Sequence, residues 1–331
     1  MKLYKIFGNV STDILIIFFP VNTFFKNFYL YRIKKMNIPV KKLKNGFEIP
    51  IFGIGTWMMG GDFYKDLVNN DDEADIKAIQ IAIDLGITHI DSSELYAQGR
   101  AEELTGVAIK KYDREKLFIC TKVSPLNLHY HDLIEAAKGS LKRYQIDYLD
   151  LYLMHFPNKN IPLEETMPAL DRLVDDGLIR YFGGSNFTVA QMKEAKTYAK
   201  HKFVANQYHY NLIVREPEKN GLLEYCQKND IILIAWRPVQ DTLSLKKGIE
   251  VLDKMCEKYG KTPIQMAINW LTSQPNVVTL AKSRNIEHLK ENLGAVGWQM
   301  DNDDIEILRK EFPNQREVGD AWPGLDRYIK L

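Results

Sequence analysis

From about residue 52 onward the sequence alternates eight times between a short run of β-branched or apolar residues and a longer amphipathic run. That alternation constrains the fold more than any other feature. The strand-like runs are 52–57, 89–93, 117–123, 148–155, 181–186, 204–210, 231–236 and 277–283. The helical runs are 74–85, 101–111, 132–143, 164–174, 189–201, 217–228, 263–272 and 286–293, with extra helices expected at 246–257 and 303–312. In the third run Leu133, Ala136, Ala137 and Leu141 recur at the spacing of one helix face. Strand, helix, strand implies parallel pairing, since a parallel neighbour is reached only through a crossover. Eight such units without a GxGxxG turn predict an α/β fold, a closed (β/α)8 barrel of the TIM-barrel type rather than an open doubly wound sheet.

Two segments precede the first barrel strand. In KKLKNGFEIP, Asn45-Gly46 lies between strand-like flanks and predicts a two-residue hairpin turn with both turn residues at positive φ, capping one end of the barrel. Residues 1–35 differ from the rest: the apolar run 14–19 is broken by Pro20 and Asn22, and even extended to Phe25 it is shorter than the roughly 20 residues that span a bilayer. Lys2 and Lys5 precede apolar residues as in a leader, but Ser11, Thr12 and Asp13 interrupt the core and no small-x-small cleavage site follows. These residues read as an extension outside the fold, with Met36 as a start. No Pro/Gly/Ser-rich linker divides 36–331, so it reads as one domain.

Charge and cysteine usage exclude several function classes. The 44 basic and 43 acidic residues are spread along the chain with no basic stripe, which argues against a nucleic-acid partner. Cys120, Cys226 and Cys256 are odd in number, far apart and without CxxC, pointing to a reducing, cytoplasmic setting; no zinc-ligand spacing occurs, so no metal is expected. No heptad run or long apolar stripe argues for assembly, and a monomer is expected.

Polar residues stand where three strands end. Asp91 and Tyr96 lie in DSSELYAQGR, Lys122 in FICTKV and His155 in LYLMHFP. In a barrel of this kind the C-terminal strand ends form the site, so the four converge. Singly, each has an ordinary structural reading; together they suit the reduction of a carbonyl, which needs a hydride donor and an acid for the developing alkoxide. Tyr96 fits the acid because tyrosine is protonated at neutral pH, Lys122 supplies a neighbouring cation, Asp91 compensates that cation, and His155 can orient the carbonyl oxygen.

With these residues in view, the chain resembles the aldo-keto reductase superfamily. GIGTW at 53–57, DSSELYAQGRAEELTG at 91–106, TKV at 121–123, LYLMHFP at 151–157, GGSNF at 183–187, ANQYHYN at 205–211 and AKSRNIEHLKENLGA at 281–295 resemble its motifs in order and spacing, over about 36–312. The resemblance implies Asp91, Tyr96, Lys122 and His155 as the catalytic tetrad, with Tyr96 the acid and NADPH the cofactor, NADH being possible. It implies Gly55, Thr56 and Trp57 near the nicotinamide, Ser185, Asn186 and Gln207 on its carboxamide, and Trp236 stacked on its ring. Lys282, Ser283 and Asn292 match the site for the adenosine phosphate; His288 stands where an arginine is common, and Arg284 is the compensating cation.

Other departures are Ala97, where the family generally has glycine, and the short segments FPNKNIP and RPVQDTLSL, which suggest an open pocket for a small-molecule carbonyl substrate. Trp322 and Tyr328 in the tail either line that pocket or dock on the barrel. Because the superfamily includes channel-associated subunits that keep the tetrad, a cofactor-binding regulatory or sensory subunit is the alternative.

Overall fold

The computed structural model describes residues 4–5, 15–16, 35–239 and 248–319. Eight parallel strands close into one barrel: β1 (Phe52–Gly55), β2 (His89–Asp91), β3 (Phe118–Val123), β4 (Leu149–Met154), β5 (Ile179–Ser185), β6 (Phe203–His209), β7 (Ile232–Trp236) and β8 (Val277–Ala281). Each strand pairs with the next in sequence, and β8 closes on β1. This is the (β/α)8 arrangement that the alternation predicts. Tyr4–Lys5 and Leu15–Ile16 form a separate antiparallel ladder, and the remainder of 1–34 lies outside the described residues, as do Trp322 and Tyr328.

The barrel layers follow from the two-residue period of a strand. On β4, Leu151 and Leu153 join the lumen cluster with Val204, Ile232, Ile234 and Val278. Tyr152 and Met154, on the alternate positions of the same strand, belong to the outer cluster with the helices. Both faces are buried, which is why the strands read as near-continuous apolar runs rather than alternating ones.

The helices are α1 (Asp72–Leu85), α2 (Arg100–Ile109), α3 (Tyr130–Tyr144), α4 (Leu163–Asp175), α5 (Val189–Tyr198), α6 (Glu216–Lys219), α7 (Leu222–Lys228), α8 (Glu250–Tyr259), α9 (Pro263–Ser273), α10 (Ile286–Leu293) and α11 (Asn302–Glu311). Local sequence fixes their starts: Thr188 with Gln191 and Thr262 with Gln265 form capping boxes on α5 and α9. Leu133, Ala137 and Leu141 bury the inner face of α3, with Ala136 packed beside them.

Two expectations are corrected. The hairpin, strands Val40–Lys42 and Glu48–Pro50, does not turn on two residues: Leu43 N–H donates to the Phe47 carbonyl at 2.8 Å, leaving a three-residue loop in which Gly46 has φ +89° while Asn45 is not at positive φ. Asn45 instead accepts from Phe47 N–H through Oδ1 at 3.3 Å. The run 217–228 is not one helix either. Gly221 at φ +75° separates α6 from α7.

The hairpin closes the N-terminal end of the barrel as expected. Leu43, Phe47 and Ile49 are buried in the lumen cluster, with Phe47 set edge-on against Tyr181 at 4.9 Å. Lys41 donates to the carbonyls of Gln274 and, at 2.5 Å, Val277. Among the described residues no helix is long and apolar enough to cross a membrane.

Candidate active site

The C-terminal strand ends bring Asp91, Tyr96, Lys122 and His155 together. Lys122, last but one in β3, has no exposed side-chain surface and its ammonium donates to Asp91 Oδ1 at 2.6 Å, the Ser92 carbonyl at 2.7 Å and the Tyr96 hydroxyl at 3.3 Å. These three bonds use all the protons of an ammonium. Tyr96 Oη therefore accepts from Lys122, and its own O–H is left to point elsewhere. The second carboxylate oxygen of Asp91 accepts from Gln207 Nε2 at 2.9 Å. A buried ion pair is tolerated only when its remaining hydrogen-bonding capacity is met, and here it is met on both sides.

The Tyr96 position depends on an uncommon backbone. After Tyr96 the chain passes through Ala97 and Gln98 in the left-handed region, φ 48° and 52°, and Ala97 N–H donates to the Asp62 carbonyl at 2.8 Å. Ala97, a residue with a Cβ, therefore holds a conformation that costs strain and persists only because its surroundings fix it.

The protonation states follow from burial and neighbouring charge. Burial pushes the Tyr96 phenol above its ordinary 10, while the Lys122 charge pulls it back part of the way. Burial works to lower Lys122, but the negative partner Asp91 outweighs it and raises the ammonium above its usual range. His155 is driven well below 6.5, first by burial and then by the Lys122 charge, so it is neutral at neutral pH.

His155 follows β4. Its ring stacks on Phe156 at 4.8 Å, meets the edge of Tyr96 at 5.6 Å, and sets Nδ1 2.8 Å from Ser93 Oγ. Asn186 Nδ2 donates to the His155 carbonyl at 3.2 Å and to Ser185 Oγ at 3.0 Å. Its Oδ1 is buried without a partner among the described residues. An orphaned acceptor beside Gln207 and Ser185 suits a ligand amide N–H, so these side chains fit a nicotinamide carboxamide.

The other expected contacts divide. Trp57 stands edge-on to Tyr96 at 4.9 Å and to Phe63 at 4.7 Å, at the mouth of the site. Gly55 is held against Leu280, whose Cδ1 would lie 3.0 Å from an added Cβ. Thr56 is turned into the protein, its hydroxyl on the Asp91 carbonyl at 3.1 Å and on Ser92 Oγ at 2.7 Å. Trp236 stacks on His209 at 4.3 Å and 15°, with Arg237 4.9 Å from its ring.

Beyond β8, Ser283 Oγ accepts from Asn285 N–H at 3.0 Å, Asn292 is buried in α10 and Lys282 is exposed. Arg284 is not a loose cation. It is paired with the buried carboxylate of Asp75, and its Nη2 also reaches the Met58 carbonyl and Asn70 Oδ1, each at 2.9 Å. Arg284 thus ties the loop after β8 to the loop after β1.

Sequence alone gives no signal for three participants. Asp75 sits at the start of an ordinary helix, Ser93 is one of two serines in a loop, and His89 reads as a strand residue. In the fold, donor atoms of His89, Asp91 and Cys120 lie within 4.8 Å of one another, all three residues buried.

Comparison with known proteins identifies the family and the fold. Residues 52–311 match the family model for the aldo/keto reductase family. The glyoxal reductase of Bacillus subtilis (strain 168) is 35% identical over 285 residues, covering 84% of this chain and 96% of its own. Methylglyoxal reductase YeaE of Escherichia coli (strain K12) is 31% identical over 270 residues, covering 80% and 92%. Among solved structures, a thermostable aldo-keto reductase in complex with epalrestat superimposes with a TM-score of 0.78 at 42% identity, covering 82% of this chain and 99% of its own. An aldo/keto reductase from Klebsiella pneumoniae in complex with NADP and acetate gives 0.73 at 29% identity, covering 87% and 99%.

Proposed function

The chain belongs to the aldo/keto reductase family, and on that premise we propose that it reduces a small aldehyde or ketone to the alcohol with Tyr96 as the proton donor. The observation that carries this reading is the Lys122 ammonium, whose three protons go to Asp91, the Ser92 carbonyl and the Tyr96 hydroxyl. Because Tyr96 accepts from Lys122, its own proton is free for the oxygen of a carbonyl in the pocket. As that oxygen gains charge, Tyr96 passes its proton across, and the adjacent ammonium stabilises the phenolate left behind. Asp91, braced by Gln207, keeps the ammonium in place. His155 is neutral and available as a hydrogen-bond donor to the same oxygen.

NADPH supplies the hydride when bound. Ser185, Asn186 and Gln207 are the residues that would hold its carboxamide, with Trp236, Trp57, Thr56 and Gly55 around the ring. Lys282, Ser283 and Asn292 would hold the 2′-phosphate, and Arg284, with Nε and Nη2 on Asp75, would meet it through Nη1. The names of the glyoxal and methylglyoxal reductases that the chain resembles favour small, reactive aldehydes as substrates.

Purified protein incubated with NADPH and a panel including glyoxal, methylglyoxal and simple ketones tests this reading. Turnover is expected, falling about 10²- to 10⁴-fold in Tyr96→Phe, the usual worth of a positioned general acid. NADPH binding with no turnover of any carbonyl would sink the proposal and favour a cofactor-binding regulatory subunit.

A further inference from the structure

The ring of His155 can orient a carbonyl only if its proton is on Nε2, and the structure assigns the device that sets this: we propose that Ser93 fixes His155 as the Nε2–H tautomer. The proposal rests on the reductase reading and deepens it. A neutral imidazole has one N–H, and which nitrogen carries it is decided by the partner of the other. The Nδ1 partner is Ser93 Oγ, 2.8 Å away and 62 residues distant in sequence.

The direction of that hydrogen bond follows from what else surrounds the hydroxyl. Ser93 Oγ already accepts from the Leu95 N–H at 3.1 Å. Its own proton has two possible acceptors, the Lys122 carbonyl at 3.3 Å and His155 Nδ1 at 2.8 Å. The Lys122 carbonyl is already served by the Glu94 N–H at 3.2 Å, so it gains little from a second, long bond. Nδ1 lies at a good hydrogen-bonding distance. The serine proton therefore goes to Nδ1, making that nitrogen an acceptor and leaving the ring proton on Nε2.

The rest of the environment holds this arrangement. Burial and the Lys122 charge keep the imidazole from taking a second proton, so Nδ1 stays an acceptor. Phe156 stacked on the ring and Asn186 on the His155 carbonyl fix the plane in which Nε2–H is presented. Ser93 is a positioning residue: it acts on a carbonyl only through His155. Without its hydroxyl, Nδ1 is a buried nitrogen with no donor facing it, and the ring regains the option of carrying its proton there, where Nε2 would repel a carbonyl oxygen instead of donating to it.

The test reads the tautomer directly, by ¹⁵N–¹H correlation of the histidine ring nitrogens in the whole protein, with His155 assigned by its loss in His155→Gln. Wild type is expected to show the Nε2–H form; Ser93→Ala is expected to show Nδ1–H or an exchanging mixture; Ser93→Thr, which keeps a hydroxyl, is expected to restore Nε2–H. With a carbonyl substrate, Ser93→Ala is expected to lose about tenfold in kcat/KM, equivalent to roughly 1.4 kcal/mol, and Ser93→Thr to recover most of it. An Nδ1–H tautomer in wild type, or an unchanged tautomer in Ser93→Ala, overturns the proposal. Since the wild-type spectrum needs no turnover, its answer stands apart from whether the protein proves to be a reductase.

Discussion

At the scale of single residues the site is a set of protonation states maintained by burial, and these give its pH dependence. Burial raises Tyr96 above 10, with the Lys122 charge opposing. An acid is active below its pKa, so kcat/KM for reduction is expected to stay flat from about pH 6.5 upward and to fall only beyond about pH 10, the ordinary range of a phenol. His155 is held well below 6.5 and adds no step on the acidic side of that plateau. Lys122→Met removes the cation that pulls Tyr96 down, so the alkaline limb moves further up and the plateau drops. A descending limb centred near pH 7 in the wild-type profile would show that some other group is the acid. The identities of these residues were legible in the sequence because polar side chains interrupt apolar strand ends. Ser93 was not, because its worth depends on a partner 62 residues away that only barrel closure brings to it.

At the scale of elements the eight-fold alternation was legible because strands buried on both faces and amphipathic helices leave distinct periods. What was not legible is where neighbouring backbones press on one another. Between Phe203↔Phe182 and Asn206↔Gly184 the register of β6 against β5 slips by one residue, so Val204 and Ala205 stand opposite Gly183. There the Ala205 carbonyl is so close that a Cβ on Gly183 would lie 2.1 Å from its oxygen. Gly183→Ala must therefore part the two strands, and about 1–3 kcal/mol of stability is expected to be lost, as in other overpacked sites. Because Ser185 ends one strand, Asn186 follows it and Gln207 lies on the other, NADPH affinity is expected to weaken with it. Urea unfolding and a cofactor titration check both; an unchanged midpoint would show that the bulge can yield. The split of α6 from α7 at Gly221 and the three-residue hairpin loop were missed for a related reason: a glycine in a sequence does not say which turn will use its positive φ.

At the scale of the whole molecule the barrel lumen carries its own titration, set by His89. The imidazole is fully buried on β2, its edge 5.0 Å from Phe118, and neither ring nitrogen has a hydrogen-bond partner among the described residues. Gly53 on β1 leaves the room: an added Cβ would stand 2.6 Å from His89 Nδ1. Burial holds this histidine down to about 4, with the Lys122 charge adding to the effect and Asp91 opposing it. The unfolded chain takes up the proton near 6.5 and the folded one only near 4, so between those values the unfolded state binds more protons. Stability therefore rises with pH across that window and is lost as pH falls through it, by roughly 3 kcal/mol at about 1.4 kcal/mol for each pH unit between the two pKa values. His155, lowered for the same first reason, contributes with the same sign. Replacing His89 with leucine removes a fully buried group whose protonation is opposed in the folded chain, so the variant is expected to show a shallower fall in unfolding free energy between about pH 6.5 and 4. Urea unfolding of both proteins across that range measures the two slopes. Equal slopes would mean that the His89 proton is taken up at the same pH in the folded and unfolded chains, which a sealed lumen does not permit.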